Sequence, residues 1–210
     1  MSRRRKQYEE WCGIVAAILI AVLFLMILIS WLISSAMPNT HVRSLLNSDG
    51  IRWFLGHLID HICSPVLVWI ILLTISSGTL KSSGFMDAML RVLRGDGKIL
   101  FRERFSLWIT VIEAAVIIAI YVPLVTFPHP ILLSSTGELF PSPFSRSIIP
   151  VAAMTIVFTS LSFGVISRQI QSFSSAIHIM TSAFSSVSPI IVLYLIATIL
   201  LHTVCYIFIV

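Results

Sequence analysis

Five separate runs of mostly apolar residues constrain this chain more than any other feature of its sequence. The runs cover residues 13–34, 62–80, 107–127, 147–167 and 189–210. A helix needs roughly 20 such residues to cross the ~30 Å hydrocarbon core of a bilayer, whereas the strands of a membrane barrel alternate over about ten. The sequence therefore predicts an all-α integral membrane protein with about five transmembrane helices, folded as a single membrane domain over residues 1–210.

The charge composition excludes most other classes of protein. Only 11% of the 210 residues are charged, whereas soluble domains contain about 25%. The net charge of +5 does not indicate nucleic acid, because the basic residues flank the apolar runs, as membrane topology requires. The first run is too long for a cleavable signal sequence, so we expect it to remain as a span. The expected partner is the lipid bilayer, and no nucleic acid is expected.

The positions of the basic residues predict an orientation. Eleven of the 14 lysine and arginine residues lie on one side of the predicted alternation of spans, within residues 3–6 and 81–104 and at Arg168. The other three are Arg43, Arg52 and Arg146. Cytoplasmic loops of membrane proteins carry the excess of Lys and Arg. We therefore expect the N-terminus in the cytoplasm and the C-terminus on the outer side.

The connection between the first two spans carries a helical pattern. Within residues 45–61, Asp49 is suited to cap a helix N-terminus, and apolar residues recur after it at helical spacing. Trp53 is placed to anchor this segment among the lipid headgroups. We predict a short interfacial amphipathic helix here and another one after Phe85. Pro65 then opens the second span, where proline is tolerated.

Residues 168–189 carry the most regular pattern outside the spans. Apolar side chains recur every three or four residues from Ile170 to Val187, so the segment is predicted to form one helix with a continuous apolar face. Such a helix would lie on the membrane surface or between subunits.

Two blocks of the sequence resemble the aminobenzoyl-glutamate transporter (AbgT) family. The first block contains "LLNSDGIRW" and "ISSGTLKSSGFMDAMLR". Its positions that match the family pattern are Asp49, Gly50, Ile51, Arg52, Trp53, Gly78, Ser83, Gly84 and Arg91. The second block, "TGELFPSPFSRSIIPVAAMTIVFTSLSFGVISRQIQS", is similar to a later span of the family. Its matching positions are Ser142, Pro143, Phe144, Ile148, Pro150, Gly164, Ile170 and Ser172.

This resemblance implies a function and also a difference. It implies a multi-pass protein of the bacterial inner membrane that handles a small carboxylated solute such as p-aminobenzoyl-glutamate, with no cofactor. The family's Ser-Asn-x-x-Ser-Asp-Ala-Gly-Tyr core motif and its C-terminal third have no counterpart in these 210 residues. We therefore expect a shortened member that keeps more of the dimerising scaffold than of the transport core.

Glu113 is the one formal charge inside an apolar run, and it is the candidate residue for a substrate or ion pathway. A carboxyl group in hydrocarbon is expensive unless it meets a polar partner or water. Two interpretations remain open. Glu113 relays a proton or cation, or it packs against a Ser or Thr hydroxyl of a neighbouring helix.

His57 and His61 lie four residues apart, a spacing that is compatible with a metal site. The Glu that follows the first His in a metalloprotease helix is absent here, and no third ligand is evident. Two histidines at the level of the headgroups are the preferred interpretation, and no metal is predicted.

No sequence motif points to catalysis. The chain shows no phosphate loop, nucleophile elbow or thiol–histidine pair, so no catalytic residue is predicted and an enzyme is not expected. Cys12, Cys63 and Cys205 are too few and too scattered for a disulfide framework. The leading hypothesis is transport of a small carboxylated solute. The alternative is a non-transporting scaffold, an accessory subunit or a degenerate remnant, acting as a homodimer or with another membrane subunit.

Overall fold

The described residues of the computed structural model, 3–37, 42–95, 101–126 and 142–208, form helices and short connections and contain no strand. The helices are α1 (Arg3–Ala36), α2 (Ser48–Gly56), α3 (Leu58–Ile62), α4 (Pro65–Ser82), α5 (Phe85–Leu93), α6 (Phe101–Tyr121), α7 (Pro123–Thr126), α8 (Pro143–Ile166), α9 (Phe173–Thr181) and α10 (Phe184–Phe208). The predicted all-α fold class is confirmed.

Five of these helices, α1, α4, α6, α8 and α10, are long and apolar enough to cross a membrane. Each corresponds to one of the five apolar runs. The shortest, α4, has 18 residues, which at 1.5 Å per residue gives about 27 Å, close to the hydrocarbon thickness. The longest, α1, has 34 residues and extends about 20 Å beyond what the hydrocarbon core requires.

The starts of the long helices differ from the apolar runs for local reasons. Helix α6 begins at Phe101 rather than at 107, because Arg102, Glu103 and Arg104 favour helix although they are not apolar. Helix α4 begins at Pro65, as predicted, although its apolar run begins at 62, because proline lacks the N–H that the first helical position does not need. Apolar composition therefore marks the part of a helix suited to lipid, and not the ends of the helix.

Serine and asparagine caps determine where two helices begin. Ser142 and Ser145 form a capping box at the start of α8. The backbone N–H of each serine donates to the side-chain oxygen of the other at 3.2 Å. The expected cap at Asp49 was wrong. Asn47 caps α2 instead, and its side chain accepts a hydrogen bond from the Ser48 N–H at 2.9 Å. Asp49 lies in the first turn, where its negative charge interacts favourably with the helix dipole.

Two segments predicted as single helices are each divided. The interfacial segment forms α2 and α3, with a break at His57. The predicted helix over 168–189 was also wrong. Helix α9 ends at Thr181, and α10 begins at Phe184 after a turn. The regularly spaced apolar residues of this segment do not share one environment, since Ile170 is buried while Phe173 is 93% exposed.

The contacts divide the chain into two compact units. Unit 1 contains Met1–Val68 and Ser186–Val210, and unit 2 contains Trp69–Ser185. Within unit 2, helices α6 and α8 pack side by side, and Phe163 is fully buried at an edge-to-face contact with Phe85.

Small and polar side chains fill the places where a soluble protein would bury leucine. The buried residues of α4 are Thr74, Ser76, Gly78 and Thr79, while Val66, Val68 and Leu73 on the same helix are exposed. Helices in membranes pack through small residues, because lipid tails are already as apolar as leucine. This distribution of side chains is the one expected of a membrane protein.

Candidate functional site

Glu113 lies on α6 and faces a hydroxyl of α8. Its Oε1 accepts a hydrogen bond from Ser162 Oγ at 3.1 Å. Its Oε2 is buried and has no hydrogen-bond partner among the described residues. The packing interpretation predicted such a hydroxyl partner on a neighbouring helix. The open acceptor on Oε2 leaves room for the relay interpretation, and both therefore continue to apply.

A groove of about 370 Å³ lies between α6 and α8, and Glu113 is not among its lining residues. Its walls are Ile, Val and Ala side chains with Tyr121 and Thr155 as the polar groups. A carboxylated solute needs a cation or a set of N–H donors, and the lining contains none. The groove is suited to an apolar chain and not to that solute.

Among the α2 positions that match the family pattern, Gly50 and Trp53 have a clear structural role. Gly50 is buried, and a Cβ atom there would lie 2.5 Å from the backbone oxygen of Ser44. The ring of Trp53 stacks on Tyr206 of α10 with centroids 4.2 Å apart, so this side chain packs within the protein. Asp49, Ile51 and Arg52 are exposed.

The family-pattern positions of unit 2 also mark close approaches of the backbone. Gly84 has φ +70°, which L side chains rarely adopt, and a Cβ there would lie 2.3 Å from the Gln169 side chain. At Gly164 a Cβ would lie 2.5 Å from Ile170 Cδ1, and the Ile170 N–H donates to Gly164 O at 2.9 Å. These residues support packing and present no chemistry to a ligand.

Four further family-pattern positions of unit 2, Ser142, Pro143, Phe144 and Pro150, lie at or near the start of α8. Ser142 is the cap of that helix and Pro143 is its first residue. Phe144 stacks on Tyr121 of α6 with ring centroids 5.9 Å apart. Pro150 lies inside α8, where its missing N–H removes one helical hydrogen bond. These residues set the start and the packing of α8.

Arg91, another family-pattern position, connects α5 to α6. One of its guanidinium nitrogens lies 3.2 Å from Glu103 Oε1, and its Nε donates to the Asp87 backbone oxygen at 3.3 Å. The ion pair is half-exposed on the arginine side, so its contribution to stability is small.

His57 and His61 meet a third histidine that the sequence reasoning missed. The ring of His61 stacks on His202 of α10 with centroids 4.2 Å apart, and His57 lies 6.1 Å from His61. The overlooked signal was a titratable side chain inside the last apolar run. In the part of the chain that the structure describes, no three His, Cys, Asp or Glu side chains are grouped so that they could hold a metal.

The surroundings of His61 oppose a positive charge on its ring. Burial is the largest cause that lowers the pKa of His61, followed by His202 and then His57, while Asp60 raises it. His61 is only 7% exposed, and its Nε2 has no hydrogen-bond partner among the described residues. The neutral imidazole is therefore the favoured form in this structure.

Comparisons with known proteins add no family to these observations. No protein-family model matches the chain. No curated protein matches it, and no solved structure matches it.

Proposed function

We propose that this chain is a membrane subunit of a transport system for a small carboxylated solute, and that it serves as the helical scaffold of that system. The scaffold role is supported above all by the continuity of the five long helices, each of which runs unbroken from its first to its last residue. Secondary transporters bind their solutes on interrupted helices, whose free backbone groups line a cavity near the midplane.

Hydroxyl groups within the spans support the same role. Thr74 donates to the Ile70 oxygen at 2.6 Å, and Thr110 donates to the Leu107 oxygen at 2.8 Å, so each bonds to its own helix. A hydroxyl proton used in this way is not available to the carboxylate of a passing solute. They allow the helices to pack closely.

The solute class comes from the resemblance to the aminobenzoyl-glutamate transporters, with p-aminobenzoyl-glutamate as its representative. The same resemblance supports a bacterial inner-membrane location, a non-enzymatic role, and assembly as a homodimer or with another membrane subunit. The positive-inside distribution of charge supports a cytoplasmic N-terminus and an outer C-terminus.

A second candidate function is transport by the chain itself through Glu113. The observation that favours it is the buried Oε2 atom without a hydrogen-bond partner in the described ranges. An ionisable group of this kind inside a span is a default candidate for an ion pathway.

Reconstitution distinguishes the two roles. The purified chain in liposomes is given labelled p-aminobenzoyl-glutamate and an imposed proton or sodium gradient. The scaffold role predicts uptake equal to that of empty liposomes, and an identical result for Glu113→Gln. Uptake above that level, lost in the Glu113→Gln variant while insertion is retained, would establish the second candidate and overturn the first.

A further inference from the structure

Three histidines and two larger aromatic rings of unit 1 form one contact group, the histidine cluster. Its members are Trp53, His57, His61, His202 and Tyr206. His61 lies 4.2 Å from the His202 ring and 4.7 Å from the Trp53 ring, measured between centroids. Trp53 stacks in turn on Tyr206 at 4.2 Å. The cluster therefore joins the α2–α3 segment to the C-terminal part of α10.

Two hydrogen bonds, one on each side of the α2–α3 segment, also attach the chain to α10. Ser64, just after α3, bonds through its hydroxyl to Tyr194. Ahead of α2, the Arg43 N–H donates to the Ile207 oxygen at 3.1 Å. The ring stacking lies between these two attachments. The cluster is therefore one of the contacts that hold the segment to α10.

His61 is the residue of the cluster whose charge matters most. It is 7% exposed, and its Nε2 has no hydrogen-bond partner among the described residues. A proton there would place a charge in a site with little water and no acceptor, which is expensive.

The groups around His61 do not compensate such a charge. His202 from α10 and His57 from the end of α2 both lower the pKa of His61, and the Arg43 guanidinium lies 6.0 Å from the centroid of the Tyr206 ring. Among the described residues, the acid that favours a proton on His61 is Asp60 of α3, and it is exposed. The Trp53 ring would attract an imidazolium, but burial and the two neighbouring imidazoles act against it.

We propose that the histidine cluster is a pH-sensitive clasp, which holds the α2–α3 segment against α10 while His61 is neutral and releases it when His61 binds a proton. This inference goes beyond the proposed scaffold function. Neither role of the chain depends on it.

The direction of the pH effect follows from linkage. Burial, His202 and His57 lower the pKa of His61 in the closed state, whereas a released His61 has an ordinary pKa of about 6.5. The ratio of closed to released forms is therefore at its highest above about pH 6.5. As the pH falls from there towards the lowered pKa, the ratio of closed to released forms decreases by up to about tenfold per pH unit.

A distance measurement between two spin labels tests the clasp. In a variant whose three cysteines are serines, cysteines replace Leu55 of α2 and Leu201 of α10, which are both 64% exposed. The labelled protein is measured in lipid vesicles between pH 8 and pH 5. The expected result is one narrow distance distribution at pH 8 and a second, longer and broader one that grows below about pH 6.5.

Matched variants identify the histidine responsible. His61→Phe keeps a stacking ring that cannot bind a proton, and it is expected to give the narrow distribution at every pH. His178→Phe makes the same change at an exposed position of α9 and is expected to leave the response intact. His202→Phe removes one repelling neighbour and is expected to reduce the released fraction at pH 5. If His61→Phe already changes the distance distribution at pH 8, the result for His202→Phe decides instead.

Two results would overturn the clasp. One is a parent protein whose distance distribution does not change between pH 8 and pH 5. The other is an unaltered pH response in both His61→Phe and His202→Phe.

Discussion

Gly50 allows the chain before α2 to lie directly against the first turn of that helix. A Cβ atom at this position would lie 2.5 Å from the Ser44 oxygen and 2.6 Å from the Leu45 oxygen. Both are backbone atoms, so a flexible side chain cannot move aside. The glycine at position 50 is therefore explained by the lack of space for a Cβ atom, and the same explanation holds for Gly164, where the neighbouring atoms belong to Ile170.

Replacing Gly50 with alanine is expected to destabilise the protein by roughly 1–3 kcal/mol, the usual cost of overpacking. Gly56 is the matched control in the same helix, since a Cβ there has no atom within 4 Å. Gly56→Ala is expected to be neutral or stabilising by up to about 1 kcal/mol. Unfolding in detergent micelles, followed by circular dichroism, measures both. Equal stabilities for the two variants would contradict the steric account.

The Glu113–Ser162 hydrogen bond gives a second prediction for single residues. Interhelical hydrogen bonds in membrane proteins contribute about 0.6 kcal/mol on average, so a double-mutant cycle with Glu113→Leu and Ser162→Ala should give a coupling energy of that order. The cycle is measured by unfolding in mixed micelles. A coupling energy of zero would mean that the 3.1 Å contact does not stabilise the protein.

Individual helices show why some features could be predicted from the sequence and others could not. The five spans follow from the length and apolarity of each run alone, which no distant contact has to supply. The turn between α9 and α10 is different, because its residues Ser182 and Ala183 lie against Gly78 of α4, 3.1–3.2 Å from where a Cβ atom would be. Periodicity describes one helix at a time, and it contains no information about such a contact.

The candidate site was predictable to a similar degree. Glu113 was found because a charge in an apolar run is rare, and the Ser162 partner was expected only as a residue type. His57 and His61 were noticed by their spacing, but His202 comes from a segment more than 140 residues away. The stacking that makes a cluster of the three histidines exists only in the folded chain.

The capping box of α8 gives a prediction for a whole element. Ser142→Ala removes the hydroxyl that accepts from the Ser145 N–H, and losing a cap costs about 1 kcal/mol. Faster amide hydrogen exchange is expected in the first turn of α8, with little change in the other spans. Ser142→Thr keeps an acceptor oxygen and is expected to exchange like the parent. Fast exchange in the threonine variant as well would show that the hydroxyl is not the cause.

The whole molecule carries its apolar residues on the outside. Large apolar side chains are exposed along all five long helices, and the buried positions of α4 and part of those of α8 are small or polar. A soluble protein with this surface would aggregate, whereas a bilayer covers it. The five long helices and their exposed apolar side chains are therefore consistent with one environment, the bilayer.

The most direct test of the membrane account is the labelling of single cysteines. Three variants each retain one of the native thiols, Cys12 near the start of α1, Cys63 before α4 and Cys205 near the end of α10. A membrane-impermeant maleimide is added to intact spheroplasts and, as the control, to lysed membranes. We expect Cys63 and Cys205 to react in intact spheroplasts and Cys12 to react only after lysis. Labelling of Cys12 and Cys205 from the same side of the membrane would contradict the five-span topology.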